Sequence, residues 1–174
     1  MKYVKSNLIL IGMPGSGKST VGVLLAKRTS RGFIDTDVLI QTSQHRTLQE
    51  IVDTDGYMTL RSIEEEILLN LDCLDHVIAT GGSAVYSHKA MEHLKSDGLV
   101  VFLDADMATL ESRIDSFESR GLAKRPDQTL IDLFQERYPL YVKYADIIVP
   151  CARLNHEELC KQIIDACMRD GVHD

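Results

Sequence analysis

The chain of 174 residues has the length of one domain, or of a core carrying a small subdomain or lid. Hydrophobic residues make up 44% and charged residues 26%, enough for an ordinary core, and the formal net charge of -7 argues against a general nucleic-acid binder, since phosphate backbones select clustered Lys and Arg. No apolar run approaches the ~20 residues that span a bilayer, and the stretch after Asn7 has only five apolar or Gly residues before Met13, too few for a secretory signal, so a cytoplasmic protein without membrane or nucleic-acid partners is expected.

Leu8–Ile11 is a short apolar run that predicts a buried strand. It leads into Gly12-Met13-Pro14-Gly15-Ser16-Gly17-Lys18-Ser19-Thr20, which fits G-x-x-x-x-G-K-[ST], and a helical pattern over Thr20–Arg28 follows. Strand, glycine loop and helix in that order form a phosphate cradle. The glycines let backbone N–H groups turn inward around phosphate oxygens, and the helix N-terminus adds partial positive charge. Gly15, Ser16, Gly17, Lys18, Ser19 and Thr20 are therefore the candidate ATP-binding residues. Lys18 is expected to reach the β- and γ-phosphates, and the Ser19 hydroxyl to ligate Mg²⁺.

Phe33–Ile34 predicts the next strand, with Asp35 and Asp37 at its end. Ligands of a parallel sheet gather at the C-terminal strand edges, and period-2 spacing would point both carboxylates the same way. Asp35 is the candidate metal residue. Asp37 is the candidate to take the proton of an attacking hydroxyl, or to orient it. The alternative is that one of them caps the following helix. Helical patterns cover Thr47–Val52 and Ile63–Leu71. Arg61, which begins a Glu-rich helical stretch, either binds an anion or pairs with Glu64 or Glu65. Val77–Ala79 predicts a strand running through Thr80 into Gly81-Gly82-Ser83, a turn whose backbone can approach a ligand closely.

Lys89–Lys95 is helical in pattern and Leu99–Leu103 is a strand. Asp104 reads as the lead-in to a helix over Ala108–Ile114 rather than as a second metal-binding carboxylate. The least apolar stretch, roughly Asp115–Gln128, is expected to be exposed. With Arg113, Arg120, Lys124 and Arg125 in or beside it, it suits a lid that closes on phosphates and excludes water. Arg137-Tyr138-Pro139-Leu140-Tyr141 follows a helical pattern, and an Arg there suits a bidentate grip on a carboxylate. Ile147–Val149 predicts the last strand and Glu157–Met168 the last helix. Short strands alternating with helices indicate an α/β fold with a parallel sheet. The four cysteines, Cys73, Cys151, Cys160 and Cys167, form no C-x-x-C pair and read as free thiols.

Taken in order, Gly12–Thr20, Phe33–Asp37, Leu48–Ile51, Gly56, Arg61, Glu64, Val77–Gly82, Val100–Leu103 and Arg137–Tyr141 with Ala145-Asp146 resemble the shikimate kinase family, a small member of the nucleoside-monophosphate-kinase-like P-loop group. The phosphate loop alone is shared widely. The Asp-Thr-Asp, Ala-Thr-Gly-Gly and Arg-Tyr-Pro-Leu-Tyr segments together are far more specific. The resemblance implies a P-loop kinase fold, a five-stranded parallel sheet flanked by helices. It implies a single domain over residues 1–174, with a small helical substrate-binding subdomain at about 34–62 and a mobile lid at about 114–128. It also implies transfer of the ATP γ-phosphate to the 3-hydroxyl of shikimate, and a monomer is expected. Lys18, Ser19 and Asp35 would serve ATP and Mg²⁺. Asp37, Arg61, Gly81, Gly82 and Arg137 would form the shikimate site, Arg113 would lie against adenine, and Arg120 would be the lid arginine.

The chain departs from the family pattern around the pocket and lid. Ser83 stands where a third glycine is usual, Gln41 and Tyr57 stand for glutamates, and Leu60 stands for an aromatic. The lid reads Arg120-Gly121-Leu122-Ala123, then Lys124-Arg125-Pro126, so Arg120 matches by spacing and Arg125 by its following proline. A kinase for another small hydroxy acid or polyol, such as gluconate or homoserine, is one alternative. A nucleotide-binding protein without turnover is another, and the joint presence of Asp35, Asp37, Arg61 and Arg137 speaks against it.

Overall fold

The computed structural model describes residues 5–113, 121–152 and 154–170. Five short strands carry the sheet: β1 (Asn7–Ile11), β2 (Gly32–Asp35), β3 (His76–Ala79), β4 (Gly98–Asp104) and β5 (Ile147–Pro150). All pair in parallel, in the order β2-β3-β1-β4-β5. The central strand β1 is buried along its whole length, which is why its sequence is an unbroken apolar run. The edge strand β5 alternates buried and exposed residues instead. Leu8 to Leu10 pair with Val77 to Ala79 on one side, and Asn7 to Ile11 with Gly98 to Phe102 on the other. The chain lays β2 and β3 on one side of β1 and then crosses to β4, so the strand order reverses at the C-terminal end of β1, the place where such sheets collect ligands.

The helices are α1 (Lys18–Thr29), α2 (Thr36–Gln44), α3 (Leu48–Asp55), α4 (Tyr57–Leu69), α5 (His88–Asp97), α6 (Met107–Arg113), α7 (Leu130–Tyr144) and α8 (His156–Asp170), with a 3₁₀ turn at Ala84–Tyr86. The main core joins the sheet to α1, α5, α7 and α8 through residues such as Ile9, Leu25, Met91, Phe102, Tyr141 and Ile163. A second, smaller cluster of Ile40, Ile51, Leu60 and Ala123 ties α2, α3 and α4 to the segment after Gly121. Among the described residues, no helix is long and apolar enough to cross a membrane. Cys151 and Cys160 are buried, and Cys73 and Cys167 are partly buried.

The sequence patterns place every strand, but the helices around the site differ in three respects. Helix α2 follows β2 without a loop; no helical pattern marks it in the sequence, but the alternative that one of the two aspartates caps a following helix holds. Its threonines, valine and isoleucine weaken the helical signal, and the carboxylate of Asp35 supplies the start by accepting from the N–H groups of Asp37 and Val38. Asp35 and Asp37 therefore do not alternate along a strand. One is the cap of a helix and the other sits in its first turn. Arg137–Tyr141 does not follow a helix but lies inside α7, which a capping box at Thr129 and Asp132 begins. Pro139 is tolerated there because it and Gln135, whose carbonyl loses its usual partner, lie on the exposed face where water is at hand. Finally, α4 starts at Tyr57, one turn before Arg61, which puts Arg61 in mid-helix.

Candidate active site

The phosphate loop is built as its motif requires. Gly17 adopts φ 99°, a left-handed conformation that favours glycine, and caps α1 with no side chain. The N–H groups of the first turn therefore stay open to an anion. Ser16 Oγ is buried there without a hydrogen-bond partner, a polar atom that a phosphate oxygen would satisfy. Lys18 is buried and folds back over the loop, donating to the carbonyls of Gly12 (2.8 Å) and Met13 (2.9 Å). Burial pulls its ammonium down to about 8, against the pull of nearby Asp37.

The strand edge beside the loop carries the carboxylates. Ser19 Oγ donates to Asp35 Oδ2 at 2.5 Å, while Asp35 Oδ1 accepts from the Asp37 N–H at 3.0 Å. Asp35 is thus both a helix cap and the neighbour of the loop serine. Asp37 is half-buried, and its carboxyl lies above the usual range because burial outweighs the attraction of Lys18. Thr36 Oγ1 accepts from the Gly81 N–H at 3.0 Å, which locks the start of α2 to the turn after β3.

That turn needs its glycines. A Cβ at Gly81 would stand 2.9 Å from Asp37 Oδ1 and collide with Glu64 Oε1, and one at Gly82 would stand 2.6 Å from an Arg137 guanidinium nitrogen. Arg137 is buried to 1% exposure, and donates from Nη2 to the Ala123 carbonyl at 2.9 Å and from Nε to Tyr86 Oη at 3.3 Å. Arg61 reaches the same carbonyl from Nη2 at 3.1 Å, with its guanidinium 3.6 Å from the Tyr86 ring centroid. Its carboxylate partner is Glu136, at 3.8 Å, rather than Glu64 or Glu65. The two arginines expected to hold an acid therefore do converge, on one backbone oxygen. Tyr141 Oη donates to the Gly82 carbonyl at 2.7 Å and fixes the turn from below; burial pushes its phenol up to about 12.

One cavity of about 500 Å³ takes in most of these groups: Gly15, Gly17, Lys18, Ser19, Thr20, Asp37, Gly81, Gly82, Arg113 and Arg137. Ser16, Asp35 and Arg61 are not among its lining residues, though each touches one that is: Ser16 through Arg113, Asp35 through Ser19 and Arg61 through Ala123. Arg113 leans on the phosphate loop, 3.3 Å from the Ser16 carbonyl. Arg120 lies outside the described residues. Arg125 is exposed and pairs with Glu136 at 3.1 Å, away from the phosphate loop. Asp104 takes no part in the cavity and bonds Tyr138 Oη at 3.3 Å.

Three lining residues have no site role in the sequence reading, although it names Glu64 within the family pattern and Ser83 as a departure near the pocket. Glu64 is buried on α4, three positions after Arg61, and its spacing suggests only a surface pair. Ser83 donates to Glu64 Oε2. His156, at the start of α8, lines the same cavity as Arg113; a lone histidine before an acidic helix carries no motif.

A phosphate cradle with a buried lysine at one end, and a carboxylate with a buried guanidinium at the other, define a P-loop kinase that passes phosphate to a small acceptor. The chain belongs to the shikimate kinase family, whose model, described as "Shikimate kinase", matches residues 14–168. A shikimate kinase of Clostridium botulinum is 39% identical over 147 residues, 84% of this chain and 88% of that one. One of Rhizobium meliloti is 32% identical over 165 residues, covering 93% and 85%. The solved shikimate kinase of Acinetobacter baumannii in complex with shikimate superposes with a TM-score of 0.90 at 29% identity, over 98% of this chain and 97% of that one. The chain is accordingly an ATP-dependent kinase that phosphorylates a hydroxyl.

Proposed function

We propose that this shikimate kinase binds ATP along Gly15–Thr20 and Arg113, and shikimate between Asp37, the Gly81-Gly82 turn and Arg137, so that the γ-phosphoryl group meets the 3-hydroxyl over Lys18. The observation that carries this is the single cavity holding Lys18, Asp37 and Arg137 together. Lys18, already buried among loop carbonyls, offsets charge on the group in transfer without reorganising from water. Asp37 accepts the hydrogen bond of the attacking hydroxyl and takes its proton as the new O–P bond forms and the bond from the γ-phosphorus to the β-phosphate oxygen breaks, releasing ADP. Arg137, seconded by Arg61 across the Ala123 carbonyl, holds the carboxylate, because the guanidinium fork matches its two oxygens.

Mg²⁺ fits the site by chemistry: Ser19 Oγ and Asp35 Oδ2 are hard oxygen donors 2.5 Å apart beside the phosphate loop. These two would hold it, Asp35 through water, and the bound ion neutralises the β- and γ-phosphate oxygens. Residues of about 34–62 act as the substrate-binding subdomain, supported by their separate apolar cluster. Residues of about 114–128, with Arg120, act as the lid, and the chain works as a monomer in the cytoplasm.

A coupled ADP-release assay with shikimate, its amide, gluconate and homoserine tests the reading. Turnover of shikimate is expected to exceed that of its amide at least tenfold in kcat/KM. Equal rates with acid and amide would sink the carboxylate site, and turnover of gluconate or homoserine with none of shikimate would overturn the substrate.

A further inference from the structure

The turn after β3 carries a hydroxyl where the family pattern has a third glycine, and that hydroxyl is not idle. Ser83 is buried at 7% exposure, and its Oγ donates to Oε2 of Glu64, itself buried at 2%. The other oxygen, Glu64 Oε1, is buried without a hydrogen-bond partner, and Glu64 lines the cavity. A Cβ built on Gly81 would touch both Glu64 Oε1 and Asp37 Oδ1. The two carboxylate oxygens therefore face one small volume beside Gly81. A buried carboxylate oxygen left open costs free energy unless something donates to it.

We propose that Ser83 is a positioning residue for the acceptor: by holding Glu64 Oε2, it presents Oε1 beside Asp37 to take the hydrogen bond of the hydroxyl next to the one phosphorylated. This rests on shikimate as acceptor, a ring acid with vicinal hydroxyls. One carboxylate then serves the reacting hydroxyl and the second its neighbour. The charged groups around Glu64 are Asp37 from α2, Lys18 from α1 and Arg137 from α7, with Ser83 the direct donor. Burial raises the Glu64 carboxyl to about 7, and the Ser83 hydroxyl works against that rise. Below its pKa, Oε1 carries the proton and turns from acceptor to donor, so shikimate binding weakens as pH falls.

The test is steady-state kinetics from pH 5.5 to 8.5 on the wild type, Ser83→Ala, Glu64→Gln and the double variant, with thermal unfolding as a control for folding. Ser83→Gly removes the same hydroxyl and replaces Ser83→Ala if that variant does not fold. Ser83→Ala is expected to raise KM for shikimate about five- to tenfold, the size of one ordinary hydrogen bond, with kcat and the ATP KM within about twofold. It moves the acid limb of kcat/KM for shikimate upward by about half a unit to one unit, since a donor to the carboxylate is lost. In the Glu64→Gln background the same change adds less than about twofold, because Ser83 acts only through Glu64. An unchanged shikimate KM and acid limb in Ser83→Ala, additive losses in the double variant, or equal losses toward ATP and shikimate would each overturn the proposal while leaving shikimate as substrate. Absence of wild-type turnover on shikimate would remove the substrate reading, and this proposal with it.

Discussion

At the scale of single residues, Lys18 is the sharpest test. In the proposed reading it is the charge that meets the transferring phosphoryl group, and preorganised charge of this kind typically carries several kcal/mol of barrier. Lys18→Ala is expected to lower kcat by at least about a thousandfold, and near-normal kcat would refute the phosphate-loop assignment. Because burial brings its ammonium down to about 8 in the free enzyme, kcat/KM for ATP should fall as pH rises through that value. Asp35 and Asp37 divide differently. Asn is as good a helix cap as Asp, so Asp35→Asn keeps the cap of α2 and removes only the charge beside Ser19. Its activity should be partly restored by raising Mg²⁺. Asp37→Asn should not respond, since the role proposed for it is on the acceptor hydroxyl. Like responses of both variants to Mg²⁺ would show that the roles are not divided. The phosphate-loop residues were legible because the motif specifies each of them by type and spacing. Glu64 and Ser83 were not, because their meaning comes from a contact between α4 and the turn after β3, nineteen positions apart.

At the scale of elements, what the sequence shows well is what local patterns control. β1, β3 and β4 are buried apolar runs, and all were placed correctly. α2 and the interior of α7 were missed because their signals conflict with their state: β-branched residues in one and a proline in the other. Both are rescued by caps, Asp35 and Thr129. The consequence reaches the site, since a helical α7 turns Arg137 inward under Gly82 while Glu136 faces Tyr86, Arg125 and Gln128. Adjacent residues thus face two ways, one toward the proposed acceptor site and the other toward Tyr86 and the segment at 121–128. Arg137→Lys should raise KM for shikimate at least tenfold, because lysine cannot form the fork that grips a carboxylate. Arg61→Lys should cost less, since Arg61 does not line the cavity and reaches the site through Ala123 and Tyr86. KM values for the two variants, measured side by side, check that order; an Arg61→Lys loss larger than that of Arg137→Lys would reverse their roles.

At the scale of the whole molecule, the parallel sheet brings the ends of β1, β2 and β3 together, and α4 packs against the turn after β3, so that Lys18, Asp37 and Glu64 gather in one partly dry pocket. Gathering them costs stability, and the cost has a sign that can be measured. The Glu64 carboxyl stands near 4.5 in an unfolded chain and at about 7 in the fold, raised chiefly by burial. The folded state therefore binds this proton more tightly. The advantage is fully present below pH 4.5 and is lost as pH rises to about 7, because the fold must then hold the charge out of water. At 1.36 kcal/mol per unit, the loss is about 3 kcal/mol. Asp37 changes in the same direction. Lys18, whose value is lowered, costs a constant amount below about pH 8, a cost relieved only as pH rises from there toward 10.5, outside this window. Other carboxylates also titrate on the acid side, so the informative quantity is a difference. Urea unfolding without ligands, from pH 4.5 to 8, should show the wild type losing about 3 kcal/mol relative to Glu64→Gln, which keeps the shape and cannot ionise. A flat difference curve would mean that Glu64 titrates as an ordinary surface acid and that the pocket is wet. The expected slope would show a site that holds ionised groups at the expense of the fold, with bound substrates to stabilise it again by mass action.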